Sequence, residues 1–188
     1  MTTSAIIISI LFILCLTSPA ATRSVGLVRA DDKPAQKWLI PLVFGVSQGL
    51  MALVGYYLGK LLSHLFVDEF APYLVFAMML VVAVKLFVDS MRILKGRMLY
   101  TVSKDWDYLL LSIMAAFNTL LVSLTSFCFM PFDQWFFPIV ATAGFLWSFF
   151  MVRTEFTPGM IKKLSFIEFS AAVFMAIIAI LYLFTELI

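Results

Sequence analysis

The chain is divided at its middle by the basic segment RILKGRMLYTVSK, residues 92–104, which lies between two long apolar runs. Two more basic segments, 22–37 and 153–164, separate apolar runs in the same way. Together the three segments hold 11 of the 13 Lys and Arg residues of the chain. Loops rich in Lys and Arg stay on the cytoplasmic side of a membrane, so this pattern predicts that all three segments face the cytoplasm.

Six apolar runs are each long enough to cross a bilayer, whose hydrocarbon core requires roughly 20 helical residues. Their bounds are about 4–21, 38–60, 70–92, 107–129, 134–152 and 165–187. We therefore predict an all-α membrane protein with six transmembrane helices in a single domain, residues 1–188. The cytoplasmic basic loops put both termini on the periplasmic side of a bacterial inner membrane. Three helices on each side of the central segment further predict a 3+3 inverted repeat, because three crossings reverse the direction of the second half.

The overall composition excludes an ordinary soluble domain. Hydrophobic residues make up 63% of the chain and charged residues 13%, and the mean hydropathy is +1.06. The net charge of +2 gives no indication of nucleic-acid binding, because the basic residues lie in separate short loops that the membrane topology already explains. The expected surroundings of the chain are therefore the lipid bilayer and no nucleic acid.

The first apolar run resembles the core of a signal peptide, since small residues follow it at 17–21. No basic side chain precedes the run, and cleavage after it would invert every later loop against the charge bias. We expect this run to be retained as a helix.

Polar residues near the bilayer centre are candidates for a transport site, because they are costly to place in lipid. Gln48, Asn118 and Thr142 lie near the middle of the second, fourth and fifth runs. These three residues either line a path for a solute or form hydrogen bonds between helices. The second run also has Gly45 and Gly49 at a spacing of four, which permits close helix packing.

Charged residues inside the third and sixth runs form a second candidate group. Lys85 and Asp89 are four residues apart and therefore share one helical face. Glu168 lies at a comparable depth on the inner side of the sixth run. The spacing predicts an inner charge cluster in which Lys85 pairs with Asp89, Glu168 or both. The alternative is a structural ion pair whose lysine extends toward the cytoplasmic headgroups.

The second run resembles the second helix of the MntP-type manganese efflux pumps, which belong to the lysine-exporter superfamily. The similar segment is FGVSQGLMALVGYYLG, residues 44–59. The spacing from Lys85 to Asp89 is similar to the family's basic residue followed four positions later by an acid, and the segment around Glu168 resembles the start of the family's sixth helix. The resemblance implies the same six-helix fold and the efflux of Mn²⁺.

The chain departs from the family at two positions where aspartates are the expected metal ligands. Pro19 stands at the first position and Asn118 at the second. Mn²⁺ favours carboxylate, carbonyl and water oxygens, so these replacements remove two negative ligands from a midplane site. The sequence therefore leaves the metal ligands unassigned.

Two functions remain from these observations. The first is a divergent MntP-like inner-membrane transporter that exports a divalent cation such as manganese. The second is a non-transporting membrane subunit or scaffold that packs against other membrane subunits. An enzyme is not expected, because no nucleophile and base occur in a recognisable motif, His64 is the single histidine, and no cofactor motif is present.

Overall fold

The computed structural model describes residues 3–25, 27, 36–62, 70–96, 105–125, 136–154 and 157–187. These residues form six α-helices and, in the ranges described, no β-strand. The helices are α1 Thr3–Ser24, α2 Gln36–Leu62, α3 Ala71–Leu94, α4 Asp105–Ser123, α5 Phe136–Val152 and α6 Pro158–Leu187. The predicted all-α architecture is confirmed for this part of the chain, while His64 lies outside it.

Two helix ends differ from the bounds that hydropathy predicts. Helix α6 begins at Pro158 and not at 165, because proline is well suited to a first helical turn and the exposed Lys162 and Lys163 extend the helix beyond its apolar part. Helix α4 ends at Ser123 and not at 129. A turn follows, in which the Thr125 hydroxyl donates to the Val122 carbonyl at 3.0 Å.

Among the described residues, four helices are long and apolar enough to cross a membrane, judged by length and composition. They contain Lys37–Leu61, Ala71–Leu94, Trp106–Ser123 and Gly159–Phe184. The apolar parts of α1 and α5 are shorter, at Ile8–Ser24 and Phe136–Val152. Large apolar side chains are exposed along the outside of the bundle, as expected of a helical membrane protein surrounded by lipid.

The bundle is organised around two sets of packed helices. Helix α2 packs against both α4 and α5, and α3 packs along α6. Helix α1 contacts α4, α5 and α6, and it touches α2 over a short stretch. A smaller contact joins α3 to α4. Helix α1 therefore lies between the two sets and presents its polar C-terminal half to the interior.

Glycines allow the close approach of α2 and α5. A Cβ atom added at Gly45 would lie 2.8 Å from Phe145 Cβ and 2.9 Å from the Ala141 carbonyl oxygen. One added at Gly144 would lie 2.6 Å from Gln48 Cγ. The predicted role of Gly45 in close helix packing is confirmed, and Gly144 leaves the space in which the Gln48 side chain lies.

The buried apolar side chains form two clusters. The larger cluster joins α1, α3 and α6 and includes Leu16, Leu86 and Met175. The smaller cluster joins the C-terminal end of α1 to α2, α4 and α5 and includes Ile40 and Phe44. Buried polar side chains occur in the same interior, and they form the site described next.

Candidate functional site

A buried carboxylate, Glu168, lies between α6 and α1. Its side chain is 1% exposed. Ser18 Oγ donates to Glu168 Oε2 at 3.1 Å, and Thr22 Oγ1 donates to Glu168 Oε1 at 2.7 Å. Ser18 and Thr22 are four residues apart, so one face of α1 supplies both hydroxyls. The result is a compact group of oxygen atoms inside the bundle.

A buried ion pair lies at the end of α1. Arg23 Nη2 is 3.4 Å from Asp89 Oδ2, and both side chains are at most 6% exposed. Arg92, one turn further along α3, approaches Asp89 Oδ1 at 4.0 Å but is mostly exposed. Sequence reasoning assigned Arg23 to a basic loop, whereas the structure places it in the last turn of α1, facing Asp89.

Lys85 has a different partner from the one that its spacing to Asp89 predicts. Its ammonium group donates to Asn118 Oδ1 of α4 and lies 5.6 Å from the centre of the Phe117 ring. Within the described residues, no ion pair joins Lys85 to Asp89 or Glu168. The predicted direct pairing is therefore wrong, because Asp89 faces Arg23 and the lysine turns toward α4.

The charged residues nevertheless act on one another as one group. Lys85 lies within electrostatic range of Arg23, Asp89 and Glu168. Glu168 in turn lies within electrostatic range of Arg23 and Asp89. The inner charge cluster of Lys85, Asp89 and Glu168 stays a prediction, and Arg23, which faces Asp89, is a buried charge near it that sequence reasoning missed.

Gln48 and Asn118 are both completely buried, as the midplane hypothesis requires. Thr119 Oγ1 donates to Gln48 Oε1, which joins α4 to α2 beside the Lys85–Asn118 contact. The Gln48 Nε2 and Asn118 Nδ2 atoms have no hydrogen-bond partner among the described residues. Gln48 and Asn118 thus form hydrogen bonds between helices and still have a free amide nitrogen each.

Thr142 does not join Gln48 and Asn118. Its side chain is exposed, and its hydroxyl donates to the Pro138 carbonyl of its own helix at 2.7 Å. It lines a surface cavity of about 650 Å³ between α1 and α5, whose walls are otherwise almost entirely apolar. The interior partner of Gln48 is Thr119 of α4.

Ser18 and Thr22 are the other site residues that sequence reasoning missed. They flank Pro19, which stands at the first of the two positions where the resemblance implies an aspartate ligand. Their spacing of four in an otherwise apolar run was the available signal. Such a local signal cannot identify their partner, because Glu168 is 146 residues after Thr22 in the sequence.

The described residues contain no group of three or more His, Cys, Asp and Glu side chains that could hold a metal ion. The oxygen atoms in the interior come instead from two separate carboxylates, from hydroxyls and from amides. Oxygen atoms of these kinds are the ligands that hard cations prefer.

Comparison with known protein families identifies a relationship for most of the chain. The family model of MntP, described as "Putative manganese efflux pump", matches residues 32–182. The matched range contains α2 to α5 and most of α6, including Gln48, Lys85, Asp89, Asn118 and Glu168, and it begins after α1. No curated protein and no solved structure matches the chain.

Proposed function

Because this chain belongs to the MntP family of manganese efflux pumps, we propose that it exports a divalent cation, with manganese as the first candidate. Four helices with the length and apolar composition of membrane spans support export across the bacterial inner membrane. Membership of a transporter family also favours export over a non-transporting scaffold. The cation is cargo here and not a resident cofactor.

The observation that carries this proposal is the buried carboxylate of Glu168 with its two hydroxyl neighbours. An acidic residue inside a membrane helix is costly, and such residues mark ion pathways. Ser18 and Thr22 add oxygen atoms of the kind that Mn²⁺ prefers. Glu168 is therefore the group that meets the cation, and the hydroxyls of α1 orient its carboxylate.

Gln48 and Asn118 form the second part of the proposed route, at the level of the membrane centre. Both are completely buried, and their amide oxygens accept from Thr119 of α4 and Lys85 of α3, respectively. Lys85 and Asp89 link the level of Gln48 and Asn118 to the cytoplasmic end of the proposed route, because each of them interacts electrostatically with Glu168. A cation at Glu168 would repel Lys85 and so favour a change in its contact with Asn118.

We propose six membrane spans in one domain, residues 1–188, with both termini periplasmic and a 3+3 inverted repeat. In such a repeat α1, α2 and α3 correspond to α4, α5 and α6. The helix contacts support this correspondence. Each helix packs against its counterpart in the other half, in the pairs α1–α4, α2–α5 and α3–α6. The repeat also relates the contact α2–α4 to the contact α5–α1, and the contact α1–α6 to the contact α4–α3. The short α1–α2 contact is the exception.

The function is tested in a host that lacks its own manganese exporter. We expect the full chain to restore growth in excess Mn²⁺ and to lower cellular manganese. Glu168→Gln keeps the size of the side chain but removes its charge, and we expect export to fall by at least about tenfold. Failure of the wild-type chain at a normal membrane level would contradict manganese export. Full activity of Glu168→Gln would contradict the role of Glu168.

Two threonines provide a matched comparison for the interior route. Thr119→Val removes the hydroxyl that donates to Gln48, whereas Thr142→Val removes an exposed hydroxyl that bonds to its own helix. We expect a lower export rate from Thr119→Val and an unchanged rate from Thr142→Val. The reverse order would indicate a route along the outer face of α5.

A further inference from the structure

The free polar nitrogens of the interior are all hydrogen-bond donors, while the neighbouring acceptors are occupied. Asn118 Oδ1 accepts from Lys85, Glu168 accepts from Ser18 and Thr22, and Asp89 accepts from Arg23. In the part of the chain that the structure describes, the buried side-chain nitrogens without a partner are Gln48 Nε2, Asn118 Nδ2, Arg23 Nε and Arg23 Nη1. All of them lie in side chains that are at least nine-tenths buried.

The orientation of the Asn118 amide follows from its partner. An ammonium group has hydrogens to donate and no lone pair to accept with, so Lys85 requires the amide oxygen on its side. The free Nδ2 atom therefore needs an acceptor. A metal cation cannot satisfy it, because a cation binds lone pairs and repels N–H groups.

The charges of the interior lead to the same conclusion. Arg23 and Lys85 contribute two positive charges, and Asp89 and Glu168 contribute two negative charges, so the group is formally neutral. A divalent cation would add two positive charges that no buried side chain in this group offsets. Uncompensated charge in a low-dielectric interior is strongly unfavourable.

Resting on the proposed export function, we propose that the cation is carried together with a small oxyanion that binds at Asn118 and Lys85. The oxyanion accepts hydrogen bonds from Asn118 Nδ2 and from the lysine ammonium, both of which are donors. Its negative charge offsets the cation, and hydrogen bonds between charged partners are the strong ones. Phosphate, bicarbonate and carboxylates such as acetate share this chemistry, whereas chloride has no oxygen atoms.

The full chain, purified and reconstituted into liposomes, tests this proposal. Mn²⁺ flux is measured with chloride, acetate, bicarbonate or phosphate as the anion, at equal free Mn²⁺ and ionic strength. We expect the preferred oxyanion to raise the flux above the chloride value by about tenfold, which is what one hydrogen bond to a charged group contributes. Isotopically labelled oxyanion should cross the membrane with Mn²⁺, and the order of the three oxyanions identifies the one that binds.

Two variants at one position separate hydrogen bonding from charge. Asn118→Asp removes the amide donor and supplies a negative charge, so we expect its Mn²⁺ flux to lose its dependence on the oxyanion. Asn118→Ala removes the donor without adding charge, and we expect its flux to be the same with every anion and no higher than the wild-type chloride value. Thr142→Val, on the exposed face of α5, is the control and should keep the wild-type response. Thermal unfolding in detergent establishes that each variant is folded.

The results distinguish this inference from the function on which it rests. Equal Mn²⁺ flux in chloride and in all three oxyanions would overturn the oxyanion proposal and leave manganese export intact. Labelled oxyanion that crosses without Mn²⁺ would also overturn it. Absence of Mn²⁺ flux with every anion would overturn the export function itself and the oxyanion proposal with it.

Discussion

Arg23 brings a guanidinium group into the bundle at the last turn of α1, and Asp89 is the acceptor that it meets there. Breaking a buried ion pair leaves a charge without a partner, which typically costs about 3–5 kcal/mol. Arg23→Gln should therefore lower the free energy of unfolding by about 3 kcal/mol, at the lower end because Arg92 remains near Asp89. The measurement is thermal unfolding in detergent, together with the yield in the membrane.

Arg92→Gln is the matched control, because Arg92 approaches the same carboxylate from a mostly exposed position. We expect it to change the unfolding free energy by less than about 1 kcal/mol. Arg23→Gln combined with Asp89→Asn should recover part of the lost stability, since no unpaired charge then remains. Equal losses from Arg23→Gln and Arg92→Gln would mean that the buried pair has no special role.

For individual residues, the sequence indicates which polar side chains are buried but not which side chains they contact. The buried states of Gln48, Asn118 and Glu168 could be predicted, because polar residues in apolar runs turn inward. The partner of Lys85 could not be predicted. The spacing of four to Asp89 is a local signal, whereas the contact with Asn118 depends on how α3 and α4 cross.

The interface between α2 and α5 depends on the small size of Gly45. A methyl group at this position would meet both a side chain and a backbone oxygen of α5, so the helices would have to move apart. Gly45→Ala should therefore lower the free energy of unfolding by about 1–3 kcal/mol. Thermal unfolding in detergent measures the change.

Gly159 offers the control for this substitution. It lies in the first turn of α6, and a Cβ atom added there would have no atom within 4 Å. Gly159→Ala should leave stability unchanged or raise it by about 0.5–1 kcal/mol, because alanine loses less backbone freedom than glycine on folding. Similar losses from both substitutions would show that the close approach of α2 and α5 is unimportant.

Hydropathy could predict that the helices exist, but it could not predict where α4 ends or where α6 begins. Hydropathy measures transfer to lipid and does not detect helical turns that extend beyond the membrane. The first two turns of α6, with exposed Lys162 and Lys163, were therefore missed. Hydropathy also does not detect the hydroxyl side chains that end α4 near Ser123.

The membrane topology of the whole molecule follows from the basic loops. Reporter fusions after residues 33, 99 and 160 should be cytoplasmic, and fusions after 66 and 188 should be periplasmic. The fusion after 99 is decisive, because the segment 92–104 has four basic residues. A periplasmic signal at 99 would contradict both the orientation and the inverted repeat that depends on it.

The position of α1 has a consequence for the order of events during synthesis. Helix α1 is made before α3 and α6, and the acceptors for Arg23 and Thr22 are made 66 and 146 residues after them. At a synthesis rate of roughly 5–20 residues per second, Thr22 waits about 7–30 s for Glu168. During that interval the Ser18 and Thr22 hydroxyls lack their final partner, whereas Arg23 waits only about 3–13 s for Asp89. Because an unpartnered polar group is costly in an apolar interior, we expect these hydroxyls to remain in contact with water until α6 packs against α1.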